Sequence, residues 1–261
     1  MPELVKITLA DGVADVRLAR PEKINALDGA MFHAIAQAIA DLRAMPGLRC
    51  AVLSGEGRGF CVGVDLDSLD STPELRNLQP RTHGEANLFQ QAAWGWRQLP
   101  VPVIAAIHGF AFGAGFQLML GADLRIAAPD AQFSMMEVRW GLVPDVAGIA
   151  LLRGLVRADV ARDITFTARK FSGEEAARMG LVTRLAADPY AEAMTLAKSI
   201  AASSPPAIRA AKRLLNLDAP ASALLLAESV EQEALLASPE HAETIAAARE
   251  KRTPVFPDRQ N

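Results

Sequence analysis

Pro102-Val103-Ile104-Ala105-Ala106-Ile107-His108-Gly109-Phe110-Ala111-Phe112-Gly113-Ala114-Gly115-Phe116-Gln117-Leu118 decides the fold. It lies inside the longest uncharged run of the chain, Gln98 to Ala122, whose length alone would suit a membrane span. Prolines, a histidine, a glutamine and the glycines Gly109, Gly113 and Gly115 interrupt that run, and lipid does not tolerate such breaks in a helix unless the freed backbone groups find partners. The run reads instead as a buried strand from Val101 to Ile107, a glycine-rich turn from His108 to Ala114, and a buried helix from about Gly115 to Gly121.

The same alternation extends outward. Leu4 to Leu18 predicts a hairpin, because Val5, Ile7 and Leu9 alternate with polar residues and Asp11-Gly12 is a turn signal. Asp28 fits a helix N-cap, after which Met31, Ile35, Ile39 and Leu42 recur at helical spacing until Pro46-Gly47. Ala51-Val52-Leu53 is a short buried strand that enters a glycine-rich loop from Ser54 to Asp65. Polar residues from about Asp70 to His83 form an irregular connection, followed by a helix from about Glu85 to Gln98. Leu124 to Ala127 predicts another strand. Ser172 and Glu175 form a capping box for a short helix that ends at Gly180, and Leu181-Val182 begins a last strand. Beyond Asp188-Pro189 the chain turns to alanine-rich helices, one of them starting at Ser238-Pro239. The expected organisation is an α/β core over 1–190 and a helical segment over 191–261.

The chain has 261 residues, of which 51% are hydrophobic and 22% charged, so it can bury a sizeable core. Its net charge of −3 supplies no basic field for nucleic acid or an anionic membrane. Cys50 and Cys61 have no metal-ligand spacing and make no disulfide framework, which points to a reducing compartment. Met1 to Lys6 lacks the basic-then-apolar build of a signal peptide. The expected setting is the cytoplasm, with no metal, membrane or nucleic acid as partner.

Two turns resemble each other: Val62-Gly63-Val64-Asp65 and Phe112-Gly113-Ala114-Gly115 each follow a buried strand and lead toward a helix. Glycine allows close backbone approach to a ligand, and amides exposed at a helix start can donate to an anionic oxygen. Two such amides converging would form an oxyanion hole; each turn alone also fits an ordinary tight turn. Neither is a P-loop, and neither completes the dinucleotide GxGxxG pattern. Two carboxylates, Glu137 and Asp145, stand in an apolar stretch. Buried charge is costly unless paired or used, and burial raises a carboxyl's pKa toward the range where it can shuttle protons. Glu137 also fits an ion pair with Arg139 or Arg125, and Asp145, behind Pro144, also fits a helix cap.

The chain resembles the crotonase superfamily of acyl-CoA enzymes, which includes enoyl-CoA hydratases and isomerases. The matching segments are Arg20 to Leu27, Gly59 to Leu66, Pro102 to Gly109, Gly113 to Leu118, Ala131 to Phe133 with Glu137, Gly141 to Pro144, and Gly180 to Val182. The resemblance covers essentially the whole chain and implies a spiral of stacked strand–strand–helix turns. It also implies a C-terminal helical segment for subunit association, usually as homotrimers or hexamers.

The resemblance further implies an acyl-CoA thioester substrate, with coenzyme A part of that substrate and no separate cofactor. Its carbonyl oxygen would sit between the amides of Val64 and Ala114. Ala114 stands where the family usually has glycine, so a methyl group restricts the backbone there. Lys23, Ile24, Ala26, Val62, Asp65 and Leu66 match positions that contact or flank the CoA adenine and pantetheine. Hydratases similar to this chain hold water with two glutamates; Glu137 corresponds to the second, and Gln117, which cannot exchange a proton in the same way, replaces the first. The segment from Glu137 to Val146 instead resembles dienoyl-CoA isomerases, which carry a glutamate and an aspartate at Glu137 and Asp145. The expected reaction is therefore a double-bond shift through an enolate, with hydration of a 2-enoyl-CoA as the alternative. A non-catalytic thioester- or RNA-binding homologue is the alternative of another class, and the acidic balance opposes RNA.

Overall fold

The computed structural model describes residues 3–72, 75 and 77–257, without the side chains of 69–71. Strands β1 (Val5–Ala10) and β2 (Val13–Leu18) form the expected hairpin, in the register Val5 opposite Leu18. Helix α1 (Gly29–Ala44) starts at Asp28, whose carboxylate accepts from the Met31 amide at 2.8 Å. Strand β3 (Cys50–Gly55) follows, and α2 (Leu88–Arg97) then begins later than expected because Asn87 and Gln90 form a capping box.

The deciding run divides into β4 (Val103–Ile107), β5 (Phe110–Phe112) and α3 (Ala114–Leu120). Behind it come β6 (Leu124–Ala127), β7 (Gln132–Ser134), α4 (Gly148–Leu152), α5 (Ala158–Thr167), β8 (Phe171–Ser172), α6 (Gly173–Arg178) and β9 (Arg184–Leu185). The last strand starts after Leu181 and Val182, which are buried in the core instead. The chain closes with α7 (Pro189–Ala201), α8 (Pro205–Asn216), α9 (Ala221–Leu236) and α10 (Pro239–Glu250).

Among the described residues there are two sheets, a six-stranded one in the order β1-β2-β3-β4-β6-β9 and a three-stranded one in the order β5-β7-β8. From β2 onward the large sheet is parallel. Successive strands alternate between the sheets: β4 to β5, then α3, then β6 to β7. An isolated parallel bridge between Cys61 and Ala111 adds the loop after β3 to the same second layer. This is the stacked strand–strand–helix spiral that the resemblance implied.

Parallel strands covered on both faces become apolar throughout, and β4 is buried along its whole length. Ala51, Leu53, Val103, Ala105 and Ile107 face the main core, with α1, α2 and α3. Val52, Ile104, Ala106 and Ile126 face the other way, onto Ala193, Ala197 and Ala201 of α7. The division expected at residue 190 lies at the start of α7, whose alanines at four-residue spacing cover the sheet, so the core continues to about residue 201. In contrast, α9 buries none of its side chains. No helix among the described residues is long and apolar enough to cross a membrane.

Candidate active site

The two glycine turns meet. Cys61 donates its amide to Phe110 O at 3.0 Å, and Phe112 returns its amide to Cys61 O at 3.0 Å. Gly63 and Gly113 adopt φ of 93° and 51°, a region that favours glycine. The place a Cβ would take on Gly63 lies 2.7 Å from Phe112 O and 3.3 Å from Ala114 N, so only glycine lets the two turns approach this closely. Among the described residues, neither the Val64 amide nor the Ala114 amide donates a hydrogen bond. Ala114 N–H is free because it opens α3, where the first amides have no partner within the helix. Its methyl group is compatible with the turn, since Gly113 absorbs the unusual backbone angle and Ala114 is not among the positive-φ residues.

The first turn is braced by side chains. Asn25, fully buried and at φ 55°, donates to Glu56 O, Gly59 O and Phe60 O at 2.9 to 3.0 Å and accepts from the Arg20 amide. Arg20 reaches Asp65 at 2.9 Å and Asp28 at 3.3 Å. The Asp65 carboxylate, expected near the cofactor portion of the substrate, is thus turned inward to Arg20 and to the Asp67 amide. Ala26 is buried, Ile24 and Val62 are half-buried, and Leu66 is 46% exposed. Lys23 is exposed, with Asp67 at 3.4 Å. The irregular connection expected from about Asp70 to His83 includes residues 73, 74 and 76, which lie outside the described residues.

The second turn is braced by backbone and by the strand that delivers Glu137. The Gly113 amide donates to Ser134 O at 2.9 Å, at the end of β7. Three residues later Glu137 opens a single 3₁₀ turn, Glu137–Trp140. A Cβ on Gly113 would stand 3.3 Å from Glu137 Oε1, which places this carboxylate directly beside the Ala114 turn. Glu137 Oε1 accepts from Gln117 Nε2 at 2.6 Å, while Oε2 is buried without a protein partner. Among the described residues no ion pair joins Glu137 to Arg139 or Arg125; the Arg125 guanidinium is spent on Leu181 O and Ala122 O.

Burial pushes the Glu137 carboxyl above the usual range; its own amide and Gln117 oppose this, and the nearby charge of Asp145 adds to it. Asp145 is likewise pushed up by burial, against its own amide. It is not the cap of α4: that position belongs to Ala147, at φ 59°, and no side chain caps the helix. Gln117 is fully buried on α3 and reaches the site through its neighbours. Its Oε1 accepts from the Val146 and Gly148 amides, each at 2.9 Å, on either side of Ala147 and next to Asp145. A Cβ on Gly148 would come within 2.4 Å of that oxygen. The spacing of glycines 63 and 113 made the turns visible in the sequence; the link from Gln117 to the 146–148 turn carried no local signal.

A family model described as enoyl-CoA hydratase/isomerase matches residues 8–259. A protein from Rhodobacter capsulatus named as a probable enoyl-CoA hydratase is 36% identical over 259 residues, covering 98% of each chain. EchA12 of Mycobacterium tuberculosis, also named as a probable enoyl-CoA hydratase, is 34% identical and covers 94% of this chain and 90% of its own. The crystal structure of an enoyl-CoA hydratase from Bacillus anthracis superposes with a TM-score of 0.89 at 27% identity, covering 97% of this chain and 98% of that one. The chain belongs to the enoyl-CoA hydratase/isomerase family, and is an acyl-CoA enzyme of the crotonase fold.

Proposed function

We propose that this enzyme moves a double bond in an enoyl- or dienoyl-CoA thioester. The observation that carries this reading is the arrangement of two half-buried carboxylates, both held toward their protonated forms, beside two adjacent unpartnered amides. The Val64 and Ala114 amides would hold the thioester oxygen and stabilise the enolate as charge develops on it. Glu137, through Oε2, would take a proton from carbon, and Asp145 would return one further along the chain. Gln117, an amide held by Glu137 and by the Val146 and Gly148 amides, leaves no second acid beside Glu137 of the kind that holds water in a hydratase. Lys23, Ile24, Ala26, Val62 and Leu66 would line the path of the CoA portion, with Asp65 acting through Arg20. Coenzyme A arrives with the substrate, and no separate cofactor takes part.

The relatives' names favour a second reading, hydration of a 2-enoyl-CoA, in which Glu137 would act on a water held by Gln117. Supplying purified protein with a 3,5-dienoyl-CoA and, separately, a 2-enoyl-CoA distinguishes the two by product spectra. Isomerisation of the dienoyl thioester is the expected result. Fast hydration of the enoyl thioester without isomerisation would replace the first reading by the second.

Assembly into a homotrimer or hexamer belongs to the same proposal. Leu225, Leu226, Val230 and Leu236 of α9 are each more than half exposed, as are Trp140, Leu142 and Val143. Large apolar side chains left exposed on α9 and around the 3₁₀ turn supply surface that such an assembly would cover. Light scattering coupled to gel filtration should give a mass three or six times that of the 27.8 kDa chain. A monomer at micromolar concentration would end this part of the reading. Both cysteines are buried and free, which supports a reducing setting such as the cytoplasm.

A further inference from the structure

Gln117 carries a role beyond filling the place of a missing acid. Its amide group can be oriented in only one way. The oxygen faces two backbone N–H groups, Val146 and Gly148, and the nitrogen faces a carboxylate oxygen of Glu137. One fully buried side chain therefore joins three segments: α3, which begins at the Ala114 amide; the 3₁₀ turn that opens on Glu137; and the turn that holds Asp145. The sharing is unequal at Glu137, because Oε1 is taken and Oε2 is buried with no protein partner.

We propose that Gln117 is a positioning residue, a neutral clamp that fixes the distance between the Glu137 and Asp145 carboxylates and leaves Glu137 Oε2 as the proton-carrying oxygen. This rests on the enzymatic reading above for its purpose, though not for its geometry. A buried amide group holding both ends costs little to keep and much to break, since its loss strands two backbone amides and a carboxylate oxygen. The nearby charge of Asp145 adds to the upward shift at Glu137, so a change at residue 117 bears on this pair.

Two variants separate the two ends of the clamp. Gln117→Glu keeps an acceptor for the Val146 and Gly148 amides and exchanges the donor to Glu137 for a second carboxylate. Gln117→Met removes both ends. In the absence of substrate, infrared difference spectra against Glu137→Gln follow the ionisation of Glu137. Both variants should move it to higher pH, one by adding a like charge and the other by removing a donor. With dienoyl-CoA or enoyl-CoA, whichever the wild type uses, the acid limb of kcat/KM should move the same way. For Gln117→Met the kcat should fall about a hundredfold, while KM changes about twofold or less, as expected for a misplaced general base. Hydrogen exchange on the wild-type protein should show protected Val146 and Gly148 amides, and Gln117→Glu should keep that protection.

The clamp is overturned if Glu137 ionises at the same pH in the wild type and the folded Gln117→Glu protein. It is also overturned if the Val146 and Gly148 amides of the wild type exchange as fast as open-loop amides, a result that needs no variant to fold. If the ionisation moves as stated but the wild type turns over neither thioester, the clamp stands and the enzymatic reading falls.

Discussion

The turns at Gly63-Val64 and Gly113-Ala114 end alike and are built differently. Each presents one amide with no partner among the described residues. The first is held from outside by side chains, through Asn25 and the Arg20–Asp65 pair. The second is held by backbone, through β7 and the start of a fully buried helix. Equal chemistry at two tips can thus rest on supports of unequal fragility. The first turn depends on polar partners that a single substitution can strand, while the second depends on packing.

Glu137→Gln tests the second turn's neighbour and should have the largest effect, a loss in kcat of about a hundredfold to ten-thousandfold. Its melting temperature should hold or rise, because the variant exchanges a desolvated acid for a neutral group. Unchanged turnover of a good substrate would remove Glu137 from the chemistry. In the wild type, kcat/KM should rise with pH through an inflection above the ordinary glutamate range, because burial raises the group that must lose its proton. The sign for stability is opposite. The folded state holds the proton to higher pH than the unfolded chain, so Glu137 and Asp145 make stability decline as pH rises through that window. Chemical denaturation at a series of pH values reads this slope, and its absence in Glu137→Gln/Asp145→Asn would identify its source.

Gly63→Ala comes next, with a loss in kcat of about a hundredfold to a thousandfold, the size associated with one lost oxyanion donor. Its methyl would meet the Phe112 carbonyl oxygen at 2.7 Å and force the two amides apart. Gly113→Ala is strained at φ 51° as well, but its methyl meets only the end of the Glu137 side chain at 3.3 Å, so steady-state kinetics should show a smaller loss than for Gly63→Ala. The reverse order would mean that the turns are supported the other way round.

Arg20→Met breaks the first turn's brace alone. Leaving the Asp65 carboxylate buried without its partner should cost about 2 kcal/mol by urea denaturation, below the range for fully buried pairs because both groups keep some access to water. Raised KM with a smaller change in kcat would locate the damage in binding. Lys23→Ala should change stability by less than about 0.5 kcal/mol, since its contact with Asp67 is exposed and 3.4 Å long.

Much of this was legible in the residues. Asp28, Ser172 and Ser238 cap the helices expected of them, and the hairpin turned at Asp11-Gly12. These signals are local: a side chain meets an amide three residues away. The strands β5, β7 and β8 are two or three residues long and exist only because distant segments pair with them, so no periodicity announced them. Trp140, a large apolar residue, is nevertheless 60% exposed at the end of the 3₁₀ turn that Glu137 opens. At the site, the glycines and the carboxylates stood out by type. Arg20–Asp65 and Gln117 with Val146 and Gly148 were invisible, since each joins residues that only the completed spiral brings together.

Gly148 adds an evolutionary consequence to the site. The Gln117 oxygen stands 2.4 Å from where a Cβ on residue 148 would be. A side chain cannot enter at 148 while glutamine stands at 117 as it does here. A side chain at 148 demands a shorter residue at 117, and the shorter residue can no longer reach Glu137. Residue 117 must therefore change before residue 148, and the route from this site to a different chemistry through these positions is a two-step path whose middle is unfit.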